Sequence, residues 1–366
     1  MADLRIEQLL RAMVENKASD LHIRTGVPPI YRINGALTKL FETRVDAGMM
    51  DSFMDDIMNR DQKNRFETNK ECDFAVGARD MGRFRVNVFR QRGTIAMVIR
   101  HIKAKIPAFE ELHLPEVIRD LALTRRGLVL VTGTTGSGKS TTLASMLDYI
   151  NQTEAVNIIT VEDPIEYLYR DNKSIISQRE IGVDTLSYAN ALRAALRQDP
   201  DVLLVGEVRD LETMQIALTA ADTGHMVFAT IHTTNATETI QRVLSMYPPH
   251  QHDEIRILLS EVLAGIISLR LLPTADGKGR VPAAEVLVNT AAIKEYIRDK
   301  DKLSLVEHAI AEGHMQYHSQ TFDQALLELY KTEQISLETA MNAATNKDDF
   351  DLKIRGISGT SDRGWM

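Results

Sequence analysis

The chain is 366 residues long, enough for two or three domains rather than one. Hydrophobic residues make up 44% and charged residues 26%, an ordinary globular balance, and a net charge of −8 argues against a general affinity for nucleic acid through a basic surface. The single cysteine, Cys72, excludes an internal disulfide framework and a four-cysteine metal site. No run of about 18 apolar residues occurs, so no membrane-spanning helix is expected. The opening MADLRIEQLLRAMVENKASD lacks the charged, apolar, small-residue plan of a signal peptide, and a cytosolic protein is the expectation.

Taken in chain order, the first hundred residues begin with an amphipathic helix, Ile6, Leu9, Leu10 and Met13 recurring at helical spacing. PPIYRING ends in Asn34-Gly35, a hairpin turn signal. In RFRVNVFRQRGTIAMVIR, Phe84, Val86 and Val88 alternate with arginine or asparagine, the period of a half-buried strand. Pro107 marks a linker over residues 101–113. The character then changes. From about 114 to 290 the apolar runs GLVLVTG, AVNIITVED, DVLLVGE and HMVFATIH alternate with helical patterns, which predicts a parallel sheet covered on both faces. One such helix is LSYANALRAALRQDP, with Leu186, Ala189, Leu192 and Leu196 on a shared face and Pro200 as its stop. Residues 291–350 are helical and polar, and 351–366, ending in GISGTSDRGWM, have the composition of a disordered tail. There are no internal repeats.

GTTGSGKST, residues 133–141, follows a predicted strand and opens a predicted helix, the context that confirms a phosphate loop. Gly133, Gly136 and Gly138 let the backbone of Thr134, Thr135 and Ser137 curl so that N–H groups face phosphate oxygens at a helix amino terminus. Lys139 is expected to reach the β- and γ-phosphates of ATP, and Ser140, followed by Thr141, to ligate Mg²⁺. Ligands of an open parallel sheet bind at the carboxyl ends of its strands. Three further strands bring polar residues there: Glu162, Asp163 and Glu166 after the second, with Pro164 in the turn, Glu207 after the third, and His232 after the fourth. His225 begins that last strand. An extended segment between the two histidines spans roughly 23 Å, too far for one metal to join them within a subunit.

GTTGSGKS, TVEDPIE, LLVGEVRD and TGHMVFATIHT, in this order, resemble the Walker A, Asp box, Walker B and His box of the secretion ATPases. The resemblance is to the type IV pilus retraction ATPases, the PilT and PilU group, and it covers almost the whole chain, beginning with ASDLHIRTGVPPIYRINGAL. It implies a PAS-like amino-terminal α+β domain (1–100), the linker, a RecA-like α/β phosphate-loop domain with a parallel-rich sheet (114–290) and a carboxyl-terminal helical region. It also implies an ATP- and Mg²⁺-dependent homohexameric motor, peripheral to the cytoplasmic face of the inner membrane rather than inserted, that works with a pilus platform protein.

Carried over by position, Glu166 polarises the attacking water, Glu207 is the Walker B acid near the metal, and His232 senses the γ-phosphate. His225 is left to the fold or to a subunit contact. Arg83, Arg85 and Arg100 fall where the family places arginine fingers. Thr134 stands where the family commonly has proline. AAIKEYIRDKD, ending at Asp301, only partly matches the AIRNLIRE motif of PilT, which points to the PilU side, whose members are implied to assist a PilT-like paralogue. Alternatives are a pilus-assembly or type II secretion ATPase, which usually carries a four-cysteine zinc insertion, a nucleic-acid motor, and a non-hydrolysing ATP-binding regulator.

Overall fold

The computed structural model describes residues 4–33, 35–79, 81–102 and 106–356. They fall into two compact units, 4–102 with 166–168, and 106–165 with 169–356.

The first unit contains α1 (Ile6–Glu15), β1 (Asp20–Arg24), β2 (Ile30–Ile33), β3 (Ala36–Lys39), α2 (Ala47–Ile57), α3 (Arg60–Asn69), β4 (Glu71–Ala78), β5 (Gly82–Gln91) and β6 (Thr94–Ile102). Its six strands form one antiparallel sheet in the order β3-β2-β1-β6-β5-β4. The alternation read in β5 is the alternation of the sheet: Phe84, Val86 and Val88 are fully buried. On α1, Leu9, Leu10 and Met13 lie one turn apart and enter the same core beside Phe53 and Phe66. This is the expected PAS-like α+β unit. Asn34, half of the hairpin turn signal, lies outside the described residues.

In the second unit come α4 (Val117–Ala122), β7 (Gly127–Thr132), α5 (Lys139–Thr153), β8 (Asn157–Glu162), β9 (Ile175–Glu180), α6 (Tyr188–Ala195), β10 (Val202–Val205), α7 (Leu211–Asp222), β11 (Met226–Ile231), α8 (Ala236–Ser245), α9 (His252–Val262), β12 (Leu263–Pro273), β13 (Arg280–Val288), and then α10 (Ala291–Arg298) and α11 (Val306–Glu312). Four short helices follow: α12 (His314–Tyr317), α13 (Phe322–Lys331), α14 (Leu337–Ala343) and α15 (Lys347–Ile354). The sheet order is β13-β12-β7-β11-β10-β8-β9, parallel throughout except for β13 against β12. Every residue of β7, β10 and β11 is buried, as strands covered on both faces require. That is the predicted RecA-like sheet, enlarged by β9, β12 and β13.

Local signals set the helix boundaries. Asp210, Asn235 and Ser187 precede α7, α8 and α6, and each accepts a hydrogen bond from the third residue of its helix. The Ser187 cap corrects one expectation. Leu186 lies before the helix rather than on its apolar face and is 87% exposed. Residues 106–112 carry structure of their own: Phe109 is buried against Val117 and Leu147, and the Ser145 hydroxyl donates to the Pro107 carbonyl at 2.7 Å. At the other end, α15 is capped by Asn346 and anchored by the fully buried Phe350, which carries helix to Ile354. Of the segment read as a disordered tail, residues 357–366 lie outside the described residues. Among the described residues no helix is long and apolar enough to cross a membrane.

Phe228, at the centre of β11 and fully buried, packs in the core layer with Leu143, Met146 and Ile158. Phe228→Ala should cost about 3–5 kcal/mol, the range for deleting a buried aromatic ring. Scanning calorimetry should show a lower unfolding transition.

Candidate active site

The phosphate loop leaves β7 at Gly133. Its φ is +140°, and an added Cβ would lie 2.6 Å from the Leu269 carbonyl oxygen on β12, so only glycine fits. The loop closes at Gly138, itself at φ +106°, directly before α5. First-turn amides of a helix have no carbonyl one turn behind them, so the opening of α5 presents N–H donors and the positive end of the helix dipole. Lys139, 8% exposed, folds back over the loop, its Nζ donating to the carbonyls of Gly133 at 2.8 Å and Thr134 at 3.0 Å. Ser137 Oγ is buried with no hydrogen-bond partner. A glycine cradle, an ammonium resting on neutral carbonyls and an orphan buried hydroxyl fit an anionic phosphate chain. Ser140 and Thr141, half-buried on the first turn of α5, stand beside it in sequence.

Adjacent parallel strands then supply the acids and the histidine. β7, β11, β10 and β8 are neighbours in the sheet, so their carboxyl ends form one edge. Glu207, two residues beyond β10, accepts from Arg209 Nη2 at 2.6 Å through Oε2, while Oε1 faces His232 Nε2 at 3.3 Å. The Arg209 guanidinium holds the Glu207 carboxyl below its usual range. Partial burial opposes this, and the charges of His232 and Lys139 assist it. Glu207 and His232 are therefore neighbours, and Lys139 is near enough for its charge to act on Glu207. His225 lies at the other end of β11, where its Nδ1 donates to the Ala220 carbonyl at 2.9 Å and its backbone carbonyl accepts from Gly127 N at 3.0 Å.

The acids after β8 divide. Glu162 is buried and satisfied by the Thr160 hydroxyl at 2.7 Å and the Gln178 amide at 3.2 Å, a structural position. Asp163 is exposed. So is Glu166, in the loop beyond the strand.

In the first unit, Arg83 and Arg85 alternate with buried Phe84 on β5, and Arg100 pairs directly across from Arg85 on β6, so all three share one sheet face. Arg100 Nε donates to Asp20 Oδ1 at 2.8 Å, and Arg85 Nε lies 4.0 Å from Asp73 Oδ1. Burial pushes the Asp20 carboxyl up, but the Ser19 hydroxyl and Arg100 outweigh it and hold the group below its usual range.

Three residues escaped sequence reasoning. Arg209 carried a legible signal, a cation two places after a strand-end acid. Tyr188 did not. Its hydroxyl lies so close to Gly206 that a Cβ there would be 3.1 Å away, and burial, followed by the charges of Asp163 and Glu207, pushes its pKa far up, leaving a neutral phenol. Glu285, on β13, is 4% exposed. Burial pushes its pKa up to about 7, against the Ala236 amide, which bonds it at 2.7 Å and favours the charged form.

A glycine-built cradle at the carboxyl edge of this sheet defines a phosphate-loop nucleotide-binding protein of RecA-like type. The family described as Type II/IV secretion system protein matches residues 3–350. The Pseudomonas aeruginosa protein named Type IV pilus ATPase PilU is 42% identical over 355 residues, 96% of this chain and 92% of its own length. The Type IV pilus retractation ATPase PilT of the same species is 44% identical over 345 residues, 94% of this chain and 99% of its own. Among solved structures, the pilus retraction motor PilT with bound ADP matches at TM-score 0.89 and 47% identity, covering 94% of this chain and 98% of that one. The Legionella pneumophila ATPase DotB matches at 0.80 and 28%, covering 96% of each. The chain belongs to the type II/IV secretion system protein family.

Glu285 gives the site a pH signature. Its native pKa, about 7, lies above the ordinary 4.5, so the native state binds the extra proton between these values. Stability on this account is full below pH 4.5 and falls as pH rises toward 7, by about 3 kcal/mol at about 1.4 kcal/mol per unit. Glu285→Gln, which keeps an acceptor oxygen without the charge, should melt closer to the parent at pH 5 and above it at pH 8. Calorimetry at both pH values checks the difference.

Proposed function

We infer that the chain is an ATP-hydrolysing motor subunit of the type IV pilus machine, of the PilT and PilU retraction group. The observation that carries this is the Lys139-closed phosphate loop beside the Glu207–His232 pair, in a chain 42–44% identical to PilU and PilT over nearly its whole length. In this reading Lys139 and the loop amides hold the β- and γ-phosphates, with Ser140 and Glu207 placed to hold Mg²⁺. Bound Mg²⁺ would neutralise phosphate charge. Glu166 orients and deprotonates the attacking water, and His232 answers to the γ-phosphate through Glu207. Ring assembly as a homohexamer, cooperation with a PilT-like paralogue, docking on a platform protein at the cytoplasmic face of the inner membrane, and PilU-like rather than PilT-like duty complete the proposal. All of these rest on the family resemblance.

ATPase measurements separate the roles. Lys139→Ala should weaken nucleotide binding itself, because a ground-state contact is lost. Glu166→Gln and Glu207→Gln should leave binding nearly intact and lower turnover by about two orders of magnitude or more, the scale of a positioned general base. Wild-type turnover in Glu166→Gln would remove it from the chemistry.

The arginines of the first unit are proposed to reach the nucleotide of their own subunit, so that hydrolysis, by removing γ-phosphate charge, releases a hinge. A charge-assisted hydrogen bond is worth about 1.5–3 kcal/mol, enough to bias two nearly balanced positions. Mixing Lys139→Ala subunits with Arg83→Ala/Arg100→Ala subunits tests this. The mixture should stay inactive. Recovered ATPase activity would show that arginines of one subunit complete the site of the next.

A further inference from the structure

A polar row crosses the apolar sheet of the second unit just below the phosphate loop. Thr132 ends β7, Ser268 lies directly opposite on β12, and Glu285 lies opposite Ser268 on β13. Directly paired residues share a face, so the three side chains line up. All are buried, at 0%, 0% and 4% exposure. The Thr132 hydroxyl donates to Ser268 Oγ at 3.1 Å, and Ser268 donates to Glu285 Oε1 at 3.3 Å. The same oxygen accepts the backbone N–H of Ala236 at 2.7 Å. Around the carboxyl stand Arg270 of β12 and Glu307 of α11, the charged groups that face it.

The two ends of this chain of hydrogen bonds carry the chemistry. Thr132 is the residue before Gly133, where the phosphate loop begins. Ala236 is the first residue of α8, four places after His232. Its amide has no carbonyl one turn behind it, so the Glu285 carboxyl supplies the acceptor that the helix lacks. Within the turn, Asn235 caps α8 and the Thr234 amide donates to Glu238 Oε2 at 2.7 Å, which fixes its internal shape but not its place on the sheet. Glu285 ties that turn to β12 and β13, and through Ser268 to the strand that feeds the loop. Burying a carboxyl at the cost of its ionised form has no evident return for packing alone, since an apolar side chain would fill the row.

We propose that Glu285 is a positioning residue of the ATPase site, holding the turn that carries His232 in fixed relation to the phosphate loop through Ala236 on one side and Ser268 and Thr132 on the other. It touches no substrate. The proposal rests on the ATPase reading above for its effect on turnover, and on the hydrogen bonds alone for its effect on the turn.

Four variants of the full chain test it: Glu285→Met, Glu285→Gln, His232→Ala and the double variant Glu285→Met/His232→Ala. Glu285→Met should lower kcat about tenfold or more with KM for ATP changed less than about threefold, the pattern of lost positioning rather than lost ground-state binding. Hydrogen exchange of residues 232–240 should quicken about tenfold, because the Ala236 amide loses its acceptor. Glu285→Gln, which keeps an acceptor oxygen, should restore kcat and exchange. In the His232→Ala background, Glu285→Met should cost little more, since it acts through that histidine.

Unchanged kcat in a folded Glu285→Met, a failure of Glu285→Gln to rescue, or losses that multiply with His232→Ala would each overturn the proposal. Should Glu285→Met not fold, Ala236→Pro removes the donor instead of the acceptor, at a helix position that accepts proline, and should show the same kcat loss. A parent chain that turns over no ATP would sink the motor reading instead. The exchange rates would then decide by themselves whether Glu285 holds the turn.

Discussion

At Gly133 the backbone leaves β7 so close to the Leu269 carbonyl of β12 that a side chain has no room. The rest of the nucleotide site depends on that approach. It turns the chain sharply enough for the loop to curl back, so that Lys139, six residues on, can reach the carbonyls of Gly133 and Thr134 from the first turn of α5. It also makes β12 a wall of the site and not only a support for the sheet. A β12 displaced toward solvent would leave the glycine free to take other conformations, and the loop would lose the backbone position that lets its amides converge.

Once β12 is a wall, the hairpin it forms with β13 acquires a role that strand composition alone hides. Gly265 on the same strand is pressed as closely as Gly133, an added Cβ meeting the Leu287 carbonyl at 2.8 Å and Leu121 at 2.9 Å. β12 is therefore closely packed at two levels, against Gly133 at one end of its β7 contact and against β13 and Leu121 near the other. Between wall and loop the polar row of Thr132, Ser268 and Glu285 replaces what could have been apolar packing. Hydrogen bonds satisfy each member, which keeps the cost of burial bearable, and their directionality fixes register in a way that dispersion contacts cannot.

Periodicity was enough to read β5, β7, β8, β10 and β11, because half-buried strands alternate and doubly covered strands run apolar. The loop motif was enough to place Lys139, and the parallel sheet then placed Glu207 and His232 at the same edge. What stayed hidden depends on partners distant in sequence. β13, RVPAAEVLV, has a proline and a glutamate inside it, which weakens any strand pattern. Its glutamate is comprehensible only once Ser268 and the Ala236 amide are known to face it. Leu186 misled for the opposite reason. Helical spacing included it, but Ser187 is a stronger local signal, its hydroxyl capping α6 and excluding the residue before it. Tyr188, one place further, is invisible as a site residue because a phenol on an amphipathic helix is usually core.

In two ion pairs, one in each unit, the acid is held more firmly than the cation. Asp20 is anchored, with its side chain 9% exposed, whereas its partner Arg100 is 67% exposed. The Glu207 side chain is 20% exposed against 63% for Arg209. In such a pair the carboxylate is fixed by the fold and the guanidinium rides on it. An exposed ion pair contributes about 0–1 kcal/mol, so the guanidinium can exchange its partner at small cost. Lys139 is held differently, buried at 8% exposure on the first turn of α5. Its Nζ donates to two backbone carbonyls, which help keep the ammonium solvated by the protein, and its charge acts on Glu207. In the Asp20–Arg100 and Glu207–Arg209 pairs the acid is built into the fold and the cation is left on a flexible stem.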